Sequence, residues 1–216
     1  MKATQPIRYL SFLPYKKGLR HFIWVSCLVL AGCGVGQSGP VMKQLDLGAL
    51  PTDATTQNPA PNPRLAVAVP SGLSIGLVQT TAVVWRFGAN GAPQTYASFK
   101  WVAPPATMLR QRLIDRLSRQ GPVLQSGFGD KTPVLSINLQ QFEQVFQSNG
   151  QSEAVVTLQV VLTRGLTILG SDVLYERVPA QSADAEAGAQ ALGVASNLVA
   201  NRVATWVNKT LSTRAK

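Results

Sequence analysis

The sequence predicts an α+β fold, a mostly antiparallel sheet of about six strands with two helices packed on one face. Three observations point there. Residues 133–146 and 152–164 carry long apolar–polar alternations, the period of a half-buried strand. Residues 104–120 and 182–211 instead repeat apolar side chains every three or four positions, the period of a helix. Asn90-Gly91 lies between two strand-like runs and is a strong hairpin signal.

The first segment is a targeting signal. Residues 1–32 hold five basic side chains (Lys2, Arg8, Lys16, Lys17, Arg20) and no acid. The apolar stretch "HFIWVSCLVLAG" follows, shorter than the roughly 20 apolar residues that span a bilayer. It ends in Leu30-Ala31-Gly32-Cys33, which resembles a bacterial lipobox. There a cysteine thiol takes a diacylglycerol, and cleavage makes that cysteine the new N-terminus. Cys33 is therefore the expected lipid-attachment residue and 1–32 the expected signal peptide. More than one acyl chain makes such anchoring stable. Under the sorting rule the lipobox implies, Gly34 rather than an aspartate after the cysteine points to the outer membrane, on its periplasmic face.

Cleavage at that point decides much of the chemistry. The formal charge of +10 falls to +5, which weakens any case for a nucleic-acid partner. The single histidine, His21, and the second cysteine, Cys27, leave with the signal. Triads built on histidine and zinc sites of the common kinds leave with them. Ten carboxylates remain, yet most fall at expected turns, helix starts or polar strand faces. No phosphate loop or dinucleotide fingerprint is present. No catalytic residue, metal or cofactor is expected.

Residues 33–63 read as a lipidated N-terminus and flexible tether, with a short strand hinted at by Val41, Leu45 and Leu47. The folded domain is expected over 64–216. "RLAVAVP" is a buried strand ending at Pro70. The hairpin has strands near Ala82–Phe87 and Gln94–Trp101.

Pro104 and Pro105 suit the first turn of the next helix, where no donor is needed. Leu109, Leu113 and Leu117 form its apolar stripe, and Gly121-Pro122 stops it. Arg112, Arg116 and Arg119 share the opposite face, while Arg110 falls inside the apolar arc and must snorkel or find a partner.

In the first long strand Leu135, Ile137 and Leu139 have one parity and Phe142 and Phe146 the other, so a bulge belongs near Gln140 and Gln141. Ala154, Val156, Leu158, Val160 and Leu162 all point one way in the second. A further strand follows with Gly170 at a bend. The last helix is Ala-rich, with Ser182 as N-cap, and its Leu192, Ala195, Val199, Val203 and Trp206 face the sheet.

At "VWRFGANGAPQTYASFKWVAPPATMLRQRLIDRL" the chain resembles the ABC-type transport auxiliary lipoproteins of PqiC type. The matching residues are Trp85, Arg86, Phe87, Tyr96, Trp101, Pro104, Pro105, Leu109 and Leu113, with Phe142, Glu143 and Phe146 on the later strand. Leu45 stands where a tyrosine is usual in the family's first strand. The resemblance implies a non-enzymatic auxiliary component of an intermembrane lipid transporter. It would work with MCE-type and ABC transporter subunits and be held at the outer membrane by its lipid. The family brings no catalytic residues to carry over, and self-association stays open. The arginine face (Arg112, Arg116, Arg119) and the hairpin aromatics (Trp85, Tyr96, Trp101) are the candidate partner-binding residues. The rival reading is a lipoprotein that regulates an envelope enzyme such as a peptidoglycan synthase.

Overall fold

The structure is a computed structural model that describes residues 41–49, 66–71 and 74–213. The chain divides into units 1–40 and 41–216, and the description concerns the second. The expected signal peptide, Cys33 and most of the expected tether lie outside the described residues.

Among the described residues, eight strands, two α-helices and one 3-10 turn make an α+β domain. In chain order they are β1 (Lys43–Leu45), β2 (Val67–Ala68), the 3-10 turn (Gly76–Gln79), β3 (Ala82–Phe87), β4 (Gln94–Trp101) and α1 (Pro105–Ser118). Then come β5 (Val123–Leu124), β6 (Pro133–Phe146), β7 (Ser152–Arg164), β8 (Thr167–Pro179) and α2 (Ala185–Thr213).

The sheet is mixed, not mostly antiparallel, and has eight strands rather than about six. The hairpins β3/β4, β6/β7 and β7/β8 are antiparallel. The pairings β1/β4, β2/β5, β2/β6 and β3/β6 are parallel. Reading strands from the sequence favours neighbours joined by tight turns. Parallel partners need a long crossover, and α1 supplies one between the β3–β4 hairpin and β6. β1 forms where Leu45 and Leu47 hinted at a short strand and β2 within the apolar run ending at Pro70, while β5, two residues long, is below what alternation can signal.

β6 is the spine. One edge pairs with β7 along its whole length, while the other takes β2 at its start and β3 at its end. The register shifts between Leu139 and Gln141, where the change of parity places a bulge. That shift puts Phe142 on the same face as Leu135 and Leu139, and all three are buried. Opposite them Ala154, Val156, Leu158, Val160 and Leu162 are fully buried.

α2 covers this face with Leu192, Ala195, Val199 and Val203, and α1 packs beside it with Leu109, Leu113 and Leu117. Small residues let α2 lie close. A Cβ on Gly193 would overlap the carbonyl oxygen of Leu47, and one on Gly188 would overlap the Gln144 side chain. From β8, Gly170 admits Trp206 and Thr210, which a Cβ would approach to 3.3 and 3.2 Å.

Two local expectations change. The cap of α2 is Asp184, which accepts from the N–H groups of Ala187 (2.9 Å) and Glu186 (3.0 Å). Ser182 donates its hydroxyl to that carboxylate instead of capping the helix itself. The other concerns residues 43–45 of the expected tether, where the short strand hinted at in the sequence forms. They pair with β4, and Leu45 and Leu47 enter the core.

Candidate functional site

The residues singled out in the sequence gather around the β3–β4 hairpin and the two helices. Trp85 on β3 meets Phe146 of β6 edge-on at 5.6 Å and Tyr96 of β4 at 6.1 Å. Tyr96 in turn meets Phe99 at 5.9 Å. Such tilted contacts suit the ring quadrupole and add to plain burial. Trp85, Tyr96 and Phe99 are half-buried, whereas Phe87 at the hairpin is 61% exposed.

Beneath this cluster lies a polar node that the sequence reading missed. Gln144, 1% exposed, accepts from the Tyr96 hydroxyl at 2.8 Å. Its amide donates to Ser152 Oγ at 2.8 Å and to the Asp184 carbonyl at 3.1 Å. One side chain thereby ties β4, β6, β7 and the start of α2. Burial, followed by the Asp184 charge, pushes the Tyr96 phenol up to about 12. Asp184 moves the other way: the Ala187 N–H, then the Ser182 hydroxyl and the Glu186 N–H, hold its carboxyl below the usual range. The available signal was a glutamine at core parity in β6 facing a glycine in an Ala-rich helix.

Trp101 is not an interaction residue. It is 1% exposed and packs edge-on against Phe142 at 5.6 Å. Its main-chain N–H donates to Thr81 O at 2.8 Å, and the Val102 main-chain N–H donates to Leu45 O at 3.0 Å, which pins β4 to both neighbours. Three residues on, the Pro104 carbonyl accepts from Thr107 (2.9 Å) and Met108 (3.1 Å) and starts α1. Prolines fit there because those first positions need no N–H. The Trp-x-x-Pro-Pro motif is therefore a strand-to-helix joint.

The arginine face also divides. Arg112 is buried, at 6% exposure, between α1 and α2. It donates to Asn197 Oδ1 on α2 and to the Gly48 carbonyl beyond β1. Burial lowers its guanidinium pKa, opposed by the charges of Asp46 and Asp115. The helical wheel put it on the outer face because it assumed one buried stripe. α1 buries two, one toward the sheet and one toward α2. Arg116 and Arg119 are half-buried. Arg110 finds the partners its position demanded, donating to Pro70 O at 3.1 Å and Val69 O at 2.6 Å.

On the sheet face away from the helices, Arg86 pairs by charge with Glu143 at 2.6 Å, although its Nε–H does not aim at the oxygen. Arg177 pairs there with Glu153 at 2.6 Å. Among the described residues no group of three His, Cys, Asp or Glu side chains could hold a metal ion. None of their helices is long and apolar enough to cross a membrane.

The fold and the joint define an α+β domain whose central polar groups are engaged with one another. Residues 47–204 match the model of the ABC-type transport auxiliary lipoprotein component, and the chain belongs to that family. Its fold is similar to that of protein XCC0632 from Xanthomonas campestris, of the DUF330 family. That similarity has a TM-score of 0.65 at 19% identity and covers 73% of this chain and 93% of that one. A second solved structure, of an uncharacterized protein, has a TM-score of 0.57 at 14% identity and covers 66% and 91%. No curated protein matches.

Proposed function

We propose that this chain is an outer-membrane-anchored periplasmic lipoprotein and a non-enzymatic auxiliary component of an ABC/MCE-type intermembrane lipid transport system. Membership of the auxiliary lipoprotein family is the observation that carries the reading. The lipobox at Cys33 supports the anchor, and Gly34 after it supports the outer membrane. The domain acts by docking. Its contacts with MCE-type and transporter subunits fall on outward features, the rims of Trp85 and Tyr96 and the half-exposed Arg116 and Arg119. Trp101 and Arg112 hold the fold beneath them.

Affinity purification of the full lipoprotein from detergent-solubilised membranes tests the partnership. The expected result is co-purification of MCE-type or ABC transporter subunits. Recovery of envelope-enzyme subunits in their place refutes it. Labelling with a radioactive fatty acid tests the anchor, with the label expected on the unchanged chain and absent from Cys33→Ala.

A further inference from the structure

The free edge of the sheet at β8 is guarded at three positions and bare at its hairpin end. Among the described residues β8 pairs only with β7. Ala180 N–H donates to Ser152 O across that pair, so the even residues of β8 from Gly170 onward turn their main-chain groups inward. The odd ones turn outward. Three of these have one main-chain group covered or missing, and Arg177 between them has neither. Asp172 accepts from the Val173 N–H at 2.8 Å, and Arg202 reaches from α2 to the Tyr175 carbonyl at 2.9 Å, where Glu176 holds it at 2.9 Å. Pro179 has no N–H to offer. Such devices keep an edge from adding strands.

No guard covers the other end. The register shift opposite Leu162 and Thr163 leaves Ile168 and Ser171 facing out with no further main-chain partner. Gly165, at φ 56, makes the two-residue turn that lifts Leu166 clear of the domain. Leu166 is fully exposed and Ile168 is 64% exposed. This tip also lies far from where the chain enters the fold. Lys43 of β1 pairs with Glu186 at the start of α2, while Gly170 packs against Thr210 near its end. The 29 residues of α2 span about 43 Å.

We propose that the β7–β8 tip docks a transporter subunit, which adds a short extended strand along Ile168–Ser171 and receives Leu166 and Ile168 against apolar side chains. This rests on the auxiliary-transport reading above. Unpaired main-chain donors and acceptors call for a peptide, which a lipid surface does not supply. A second copy pairing β8 with β8 would need the groups at Val173 and Tyr175 that Asp172 and Arg202 already hold.

The test uses the full lipoprotein in its own membranes, with a photo-crosslinking residue in place of Leu166, and two variants, Leu166→Asp and Ser171→Pro. Ser171→Pro removes an outward N–H that the fold does not use. The expected result is a crosslink to an MCE-type or permease subunit, with recovery of that subunit cut about tenfold or more in each variant at an unchanged melting temperature. A crosslink to phospholipid or to a second copy overturns the proposal, as does unchanged recovery in both variants. If the unchanged protein recovers no transporter subunit, the function reading itself falls. If it recovers one that the variants retain, only the docking site falls.

Discussion

Replacing Gly193 with alanine sets helix propensity against a steric contact, and the two have opposite signs. In an open helix interior the change stabilises by about 1 kcal/mol. Here the new Cβ would overlap the Leu47 carbonyl oxygen and sit 3.3 Å from its carbon. That oxygen is main chain, so no rotamer relieves the contact. The end of β1 must move by roughly an ångström to regain van der Waals distance. Overpacking of this kind costs about 1–3 kcal/mol. The upper bound is release of β1, which exposes Leu45 and Leu47, now 8% and 6% exposed. Burial of each contributes about 1.5–3 kcal/mol, partly offset by the freedom the segment regains. We expect Gly193→Ala to lower stability by a net of up to about 2 kcal/mol once the propensity gain is included. Urea denaturation followed by circular dichroism measures it, as a lower midpoint at similar slope. A raised midpoint would refute the reasoning, because it would mean that residues 41–49 do not pack on α2.

Gln144→Leu should destabilise by about 2–4 kcal/mol, because Ser152 and the Tyr96 hydroxyl both lose a partner in the core, and the urea midpoint reads it directly. Tyr96 should ionise near 12, seen as a late step in the ultraviolet phenolate titration that Tyr96→Phe removes. Its folded value lies above the unfolded value of about 10, so its contribution is complete below that pH and is lost as pH rises toward 12. Asp184 has the opposite sign: its lowered pKa contributes stability above about pH 4 that disappears as pH falls through the folded value. Asp184→Asn should keep the cap at neutral pH and flatten the acid side of the stability profile. An unchanged acid slope would refute this assignment.

What the sequence showed follows from periodicity and from chemical punctuation. β6 and β7 are long enough for alternation to speak, and the slip between Leu139 and Phe142 gives the bulge directly. Pro104 and Pro105 fix the start of α1, and Asn90-Gly91 the hairpin. The parallel pairings were hidden because a neighbour across a crossover leaves no local mark. β2 was visible as the apolar run ending at Pro70, though only two of its residues pair, while β5 was hidden because two residues carry no period. Arg112 misled for another reason. A guanidinium signals solvent in a wheel diagram, yet it is buried when an amide and a carbonyl come to meet it, as Asn197 and Gly48 do. Gln144 could be placed by parity, but its three partners come from residues 96, 152 and 184, which only the fold assembles.

These buried polar residues bear on how the domain can work. Gln144 locks the hairpin to the start of α2, and Arg112 locks α1 to α2 and to the segment after β1. Moving either helix relative to the sheet would strand polar groups in the core, at a cost of about 1–3 kcal/mol each. A partner therefore meets a domain set against internal rearrangement, and preorganisation of that kind preserves affinity that ordering would otherwise consume. Recognition is left to the perimeter. At β8 the perimeter is guarded by Asp172, Arg202 and Pro179 and left bare at Ile168 and Ser171. A device that only prevented aggregation would have no reason to stop short of a fully exposed leucine.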